Sequence, residues 1–310
     1  MTLRPDLTVP DPEALIEQPG SMWAIVLRRF MKRKIGVAGL ILVSFMVLVA
    51  IFAPLIAPYS YTQDFIGQPG AERWAAPCVN FLGCEGTQHL FGLDGNVRDF
   101  FSRVVYAARV SLPLGFTTVV VAIAIGTVIG AIAAYVGGWL DNVLMRVMDV
   151  VLGFPSLILA IAIVFVLGPG LRNTLLAIAI VTIPQYARVM RASVLSVKEV
   201  DYVAASRALG ASQTKVLVSR VVPNALTPLV VLGTLGIATV ILEAAALGFL
   251  GLGATPPTPE WGAMLAAERA RIFTAPHLMI FPGLAIMITV LGFNLVGDGL
   301  RDALDPTLNR

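Results

Sequence analysis

The sequence predicts an all-α integral membrane protein with six transmembrane helices and both termini cytoplasmic. Three observations predict it: the composition, the spacing of charge-free windows, and the side of the membrane on which basic residues fall. Of 310 residues, 57% are hydrophobic and only 13% are charged, about half the charged share of a soluble domain. Mean hydropathy is +0.84, and so few ionic groups cannot cover a globule without large apolar patches that aggregate in water. The same composition excludes a disordered chain, and two cysteines exclude a disulfide scaffold. The net charge of +3 says nothing for nucleic acid unless basic residues share one exposed face.

Charge-free windows run over residues 35–63, 110–140, 150–171, 173–187, 221–242 and 278–297. A helix needs about 20 apolar residues to cross a hydrocarbon core of about 30 Å, and five windows meet that length. The window 173–187 is shorter, but Arg172 and Arg188 flank it and can extend to the headgroups. Fifteen Lys and Arg residues fall on the segments assigned inside and seven on those assigned outside; this asymmetry places both ends in the cytoplasm. A basic run precedes the first window, but the apolar run begins more than thirty residues in and is too long for the h-region of a cleaved signal peptide.

The chain is thereby organised into a cytoplasmic tail with a basic flank (1–34), a first transmembrane helix (35–59), an extracytoplasmic loop (60–104), a five-helix core (105–300) and a cytoplasmic C-terminus (301–310). The core contains a cytoplasmic loop, 191–224. Cys78, Cys84 and His89 lie in the extracytoplasmic loop. A Cys78–Cys84 disulfide is chemically permitted there, whereas three ligands without a fourth make a poor zinc site, so no metal is expected. The alternation of charged and apolar residues over 98–109 predicts an interfacial helix before the second span turns inward. Within that span Gly126 and Gly130 form Gly-x-x-x-Gly, a spacing that serves a subunit contact or, twice as readily, internal packing.

Asp149 and Glu243 are the acidic residues nearest membrane depth. A carboxylate at the bilayer centre costs about 2.5 to 3.5 kcal/mol on insertion scales, so it normally faces protein or water. Two readings of Glu243 stand equally: it lines a passage or subunit contact, or it is a helix-end residue wetted by the interface. No catalytic residues are assigned. The chain has no phosphate-binding Gly-x-x-x-x-Gly-Lys-Ser/Thr loop, no Gly-x-Ser-x-Gly elbow and no His-Glu-x-x-His pair. Any ATP and Mg must therefore be held by a partner.

The loop reads RASVLSVKEVDYVAASRALGASQTKVLVSRVVPN over 191–224. Its length fits two short helices broken at Gly210, with Ser212 placed to cap the second. Ala or Ser at 204, 205, 206, 208 and 211 leaves a smooth surface. Composition alone suits a docking helix and a solvated hairpin equally.

Residues 202–224 resemble the EAA loop of binding-protein-dependent ABC importer permeases, Glu-Ala-Ala-x3-Gly-x9-Ile-x-Leu-Pro. Ala205, Gly210 and Pro223 match in register; Ala204 replaces the glutamate, Ser206 the second alanine, and Arg220 and Val222 the isoleucine and leucine. Three further segments, HLFGLDGNVRDFFSRVVYAARVSL (89–112), LGFLGLGATPPTPEWGAML (247–265) and FPGLAIMITVLGFNLVGDGLRDALDPTL (281–308), resemble the C-type subunit of the oligopeptide, dipeptide and nickel group. Val97 stands where that group usually has glycine.

The resemblance implies a type I ABC importer permease fold. It also implies a B-type permease partner, two cytoplasmic ATPase domains and an extracytoplasmic solute-binding protein. By carry-over, Ala204, Ala205, Ser206, Gly210 and Pro223 form the ATPase contact. The implied cargo is a peptide, with nickel or another small solute as the alternative. An ion-gradient transporter would instead want several paired intramembrane carboxylates and internal repeats. A cargo-free scaffold would leave the loop without a purpose.

Overall fold

A computed structural model describes residues 22–79 and 88–304. Cys84, most of the N-terminal tail and the last six residues fall outside the described residues. The helices are α1 (Met22–Lys32), α2 (Lys34–Ile51), α3 (Ala53–Ile56), α4 (Phe100–Val136), α5 (Gly138–Leu152), α6 (Ser156–Leu167), α7 (Leu171–Val197), α8 (Asp201–Ala208), α9 (Gln213–Val216), α10 (Val222–Ala225), α11 (Thr227–Phe249), α12 (Trp261–Glu268) and α13 (His277–Leu304). A π-helical turn, Leu217–Val221, joins α9 to α10. Among the described residues no β-strand forms, only three isolated bridges.

Among the described residues five helices, α2, α4, α7, α11 and α13, are long and apolar enough to cross a membrane; α5 and α6, bent by 91° at their break, bring the number to six when the pair is taken as one broken crossing. Three stacked apolar clusters fix the order of crossings. The middle one joins Val119 and Ala122 of α4, Ala160 and Val164 of α6, Ile178 and Val181 of α7, and Ile237 and Ile241 of α11. One end, here the far end, gathers Phe100, Val104 and Leu112 with Met46, Trp261 and Leu278. The opposite, near end gathers Ala131 and Ala134 with Met190, Val194, Val203, Val216 and Leu229. Thus α4 finishes at the near end, whereas α7 begins at the far end, where Gly170 N–H donates to Leu252 O at 3.2 Å. The α5–α6 pair must carry the chain back between them. Val26 and Phe30 of α1 pack on Ala303 and Leu300, so α1 and the end of α13 share one end of the bundle.

Several boundaries differ from the sequence expectation. The first charge-free window ran to 63, but α2 stops at Ile51 because Pro54 and Pro58 interrupt the backbone ladder. The third crossing is not one straight helix over 150–171. It breaks at Gly153–Phe154–Pro155, where Pro155 disfavours helical geometry for the residue before it. At about 18 Å, α6 is too short to cross a core alone. The fourth helix is not short: α7 runs 27 residues and holds Arg188 and Arg191 within it.

No separate interfacial helix precedes the second span. Residues 100–112 are the opening turns of a continuous 37-residue α4. Their Phe100, Val104, Ala108 and Leu112 make an i, i+4 stripe that is buried in the far-end cluster, and packing there outweighs the interface.

Gly126 and Gly130 serve internal packing. A Cβ on Gly126 would meet Tyr186 Cβ at 2.8 Å and Ala187 N at 2.9 Å; one on Gly130 would meet Arg191 N and Met190 Cβ at 2.9 Å. Both glycines therefore hold α4 against α7, the most extensive helix pair among the described residues.

Candidate functional site

At the near end, α7 runs out of apolar sequence at Val197 and the chain turns along the end of the bundle. Only Val203 of α8 is buried; it packs with Val216 and Val221 against Met190, Val194 and Leu229. One anchor per short helix fixes the segment's position and leaves its outer face free. Ala204, Ala205 and Ala208 are exposed, and Leu209 is 88% exposed. Ser206 spends its hydroxyl on Tyr202 O at 2.8 Å. Gly210 stands at φ +83° with open space around it, a left-handed conformation that glycine adopts without a Cβ penalty.

Ser212 adopts the extended backbone of an N-cap, but its side chain makes no capping bond; only its carbonyl accepts, from Val216 N–H at 2.9 Å. The second helix is a single turn flowing into the π-helical segment, so it needs no side-chain cap. Exposed Pro223 opens α10, where a missing N–H costs nothing. Tyr202 ties the two arms together: its hydroxyl donates to Arg220 O at 3.2 Å and accepts from Asn224 Nδ2 at 3.1 Å.

Midway through the layer, Glu243 lies inside α11, six residues before its last residue. The helix-end reading of Glu243 is thereby corrected: α11 extends to Phe249 because Ala244, Ala245 and Leu247 continue the buried stripe. Its Oε1 accepts from Ser156 Oγ at 2.9 Å, which places the carboxylate at the break between α5 and α6. Its Oε2 is enclosed without a hydrogen-bond partner. Asp149 is about half exposed and pairs with Arg188. Sequence reasoning missed Asp141, which takes a two-pronged grip on Arg191 at 2.6 Å to each oxygen. That pair ties α5 to α7, and an acid in the first turn of a helix that faces an arginine was the available signal.

The far end is closed by a polar framework. Buried Asp94 receives the Arg98 guanidinium at 2.8 Å and the Arg103 guanidinium at 3.3 Å. Glu268 accepts from Trp74 Nε1 at 2.8 Å and Gly95 N–H at 3.0 Å. Together with Glu260 they border a cavity of about 480 Å³. Cys78 sits on a bridge with His89, and the His89 ring pairs with Asp99 at 2.9 Å.

Glu260 caps α12 by accepting from Gly262 and Ala263 N–H, both at 2.8 Å. Burial pushes its carboxyl above the usual carboxylate range, against the pull of those amides and the Ser111 hydroxyl. The folded chain therefore holds this proton more tightly than the unfolded chain. Its stabilising contribution is complete below the ordinary value of 4.5 and is lost as pH rises through the raised value. Glu260→Gln is expected to flatten that decline in thermal midpoint measured from pH 4 upward; an unchanged slope would show that another group causes it.

Comparison with known proteins places this geometry. The model of the "Binding-protein-dependent transport system inner membrane component" family matches residues 126–310. The chain belongs to this family. Residues 21–74 match the "N-terminal TM domain of oligopeptide transport permease C". The chain is 44% identical to the dipeptide transport system permease protein DppC of Alkalihalophilus pseudofirmus, over 99% of this chain and 96% of the relative. It is 43% identical to the glutathione transport system permease protein GsiD of Escherichia coli, over 94% and 93%. A solved structure of the MetNI methionine ABC transporter in inward-facing conformations superposes with a TM-score of 0.54 at 19% identity, covering 66% of this chain and 97% of that one. The fold is that of a type I ABC importer permease, and the chain is a multi-pass membrane transport subunit. The segment 198–226, the α5–α6 break and Glu243 all lie in the portion matched by the family.

Proposed function

We propose that this permease forms half of the translocation path of an ATP-driven importer for di- or oligopeptides. The observation that carries the substrate class is its identity, over nearly its whole length, to relatives named for dipeptide and glutathione transport. A B-type permease completes the path, an extracytoplasmic binding protein delivers the peptide at the far end, and two ATPase domains holding ATP and Mg act at the near end. The near end is cytoplasmic in this reading, in keeping with Arg28, Arg29, Lys32, Arg33 and Lys34 around the start of α2.

Moving an inward/outward equilibrium from 1:99 to 99:1 requires about 5.5 kcal/mol of differential binding. The sequence carries no Gly-x-x-x-x-Gly-Lys-Ser/Thr loop to grip a nucleotide, so in this reading the bias comes from the partners and α8 transmits it. Ala204, Ala205 and Ser206 present a close-fitting face to the ATPase, Gly210 sets the angle between α8 and its follower, and Pro223 starts the run into α11. A push on α8 reaches α7 and α11 through the apolar cluster that Val203 and Val216 share with Met190, Val194 and Leu229. Glu243, beside the break in the third crossing, lines the path or meets the second permease there. Asp149 holds α5 to α7 as these helices rotate. A Cys78–Cys84 disulfide on the extracytoplasmic side belongs to the same proposal.

The test is peptide uptake by proteoliposomes containing the assembled transporter. Uptake that requires both ATP and the binding protein is expected; uptake that collapses with an ion gradient would overturn the proposal.

A further inference from the structure

Residues of α2, α4 and α13 enclose a groove of about 560 Å³. Its walls are apolar, with Ala50 and Ile51 on α2, Leu112 and Phe116 on α4, and Phe293 on α13. The Thr117 hydroxyl at its edge is spent on Pro113 O at 2.6 Å. The remaining polar side chain is Arg109, which is exposed. Among the described residues no carboxylate pairs with it and no hydrogen bond engages its guanidinium.

The depth of Arg109 follows from α2. Its 18 residues span about 27 Å, close to one hydrocarbon core, so Lys34 and Ile51 mark the two headgroup levels. Arg109 shares the groove with Ile51, at the far headgroup level. A guanidinium there, above an apolar slot that opens toward the bilayer, matches an anionic headgroup above an acyl chain in both charge and polarity.

We propose that this groove is a binding site for an anionic glycerophospholipid of the far leaflet, with its phosphate on Arg109 and one acyl chain along Phe116 and Phe293. The site is independent of the transported substrate.

Native mass spectrometry of the purified 310-residue chain, offered equal phosphatidylglycerol and phosphatidylcholine, tests it. Wild type is expected to retain phosphatidylglycerol about five-fold over phosphatidylcholine, the preference one basic residue confers near an anionic surface. Arg109→Gln should lose the preference and Arg109→Lys should keep it; an unchanged preference in Arg109→Gln overturns the proposal. A photo-crosslinking amino acid at position 116 of the otherwise wild-type chain, in membranes, gives a second reading that does not depend on how the variants fold. A phospholipid adduct is expected. A polypeptide adduct, which would make the groove a permease contact, or no adduct at all overturns the site.

Discussion

Gly210→Glu is expected to abolish transport while leaving the chain inserted in the membrane. The φ of +83° at this residue costs any L-side chain about 1–2 kcal/mol. No neighbour stands within 4 Å of a Cβ there, so the penalty comes from the backbone alone. The chain relieves it by swinging α8 relative to α9, because Val203 is the one buried side chain of α8 and its other ties, Tyr202 to Arg220 and Asn224 and Arg207 over Tyr135, are made by exposed side chains. That motion moves the small-residue face Ala204, Ala205 and Ala208 away from its proposed seat on the ATPase, and the new carboxylate adds a charge to an exposed surface beside Ala208 and Leu209. Transport in proteoliposomes should be lost and the ATPase should no longer co-purify. Normal co-purification with Gly210→Glu would show that the bend does not set the docking geometry.

Gly130→Leu is expected to have the largest effect on stability, at the opposite wall of the near-end cluster. Even a bare Cβ falls at 2.9 Å from both Arg191 N and Met190 Cβ, and these belong to a helix that cannot yield locally. Overpacking of this kind costs about 1–3 kcal/mol, occasionally more. A leucine adds three further carbons to a contact already closed. The expected result is a lowered thermal midpoint for the isolated chain in detergent, together with loss of expression in membranes. If Gly-x-x-x-Gly instead served the second permease, the isolated chain would keep its wild-type midpoint and only partner co-purification would fall.

Much of this architecture was legible in the sequence because apolar length and proline placement are local signals. The window 278–297 lies on α13, most of the window 221–242 lies on α11, and the Gly210 break is where α8 ends. What was not legible depended on partners distant in sequence. Arg188 and Arg191 read as the end of a span, but Asp149 and Asp141 answer them within α7's neighbourhood, so the helix continues. Residues 98–109 read as interfacial from their alternation, but Trp261, Met264 and Leu278 supply a buried wall for Phe100, Val104 and Ala108. Glu243 marked the end of a charge-free window, while the residues beyond it kept α11 helical. The buried cap at Glu260 had a visible signal, an acid immediately before Trp261 and Gly262, that hydropathy windows do not register.

The most direct measurement concerns the side of the membrane that α8 faces. A cysteine placed at Ala205, exposed on the outer face of α8, can be treated with an impermeant thiol reagent in sealed vesicles of known orientation, with Cys78 and Cys84 replaced by serine. Labelling only from the cytoplasmic side, blocked when the ATPase is bound, is the predicted result. Labelling from the exterior would put the bent segment beyond the reach of any ATPase and contradict the account.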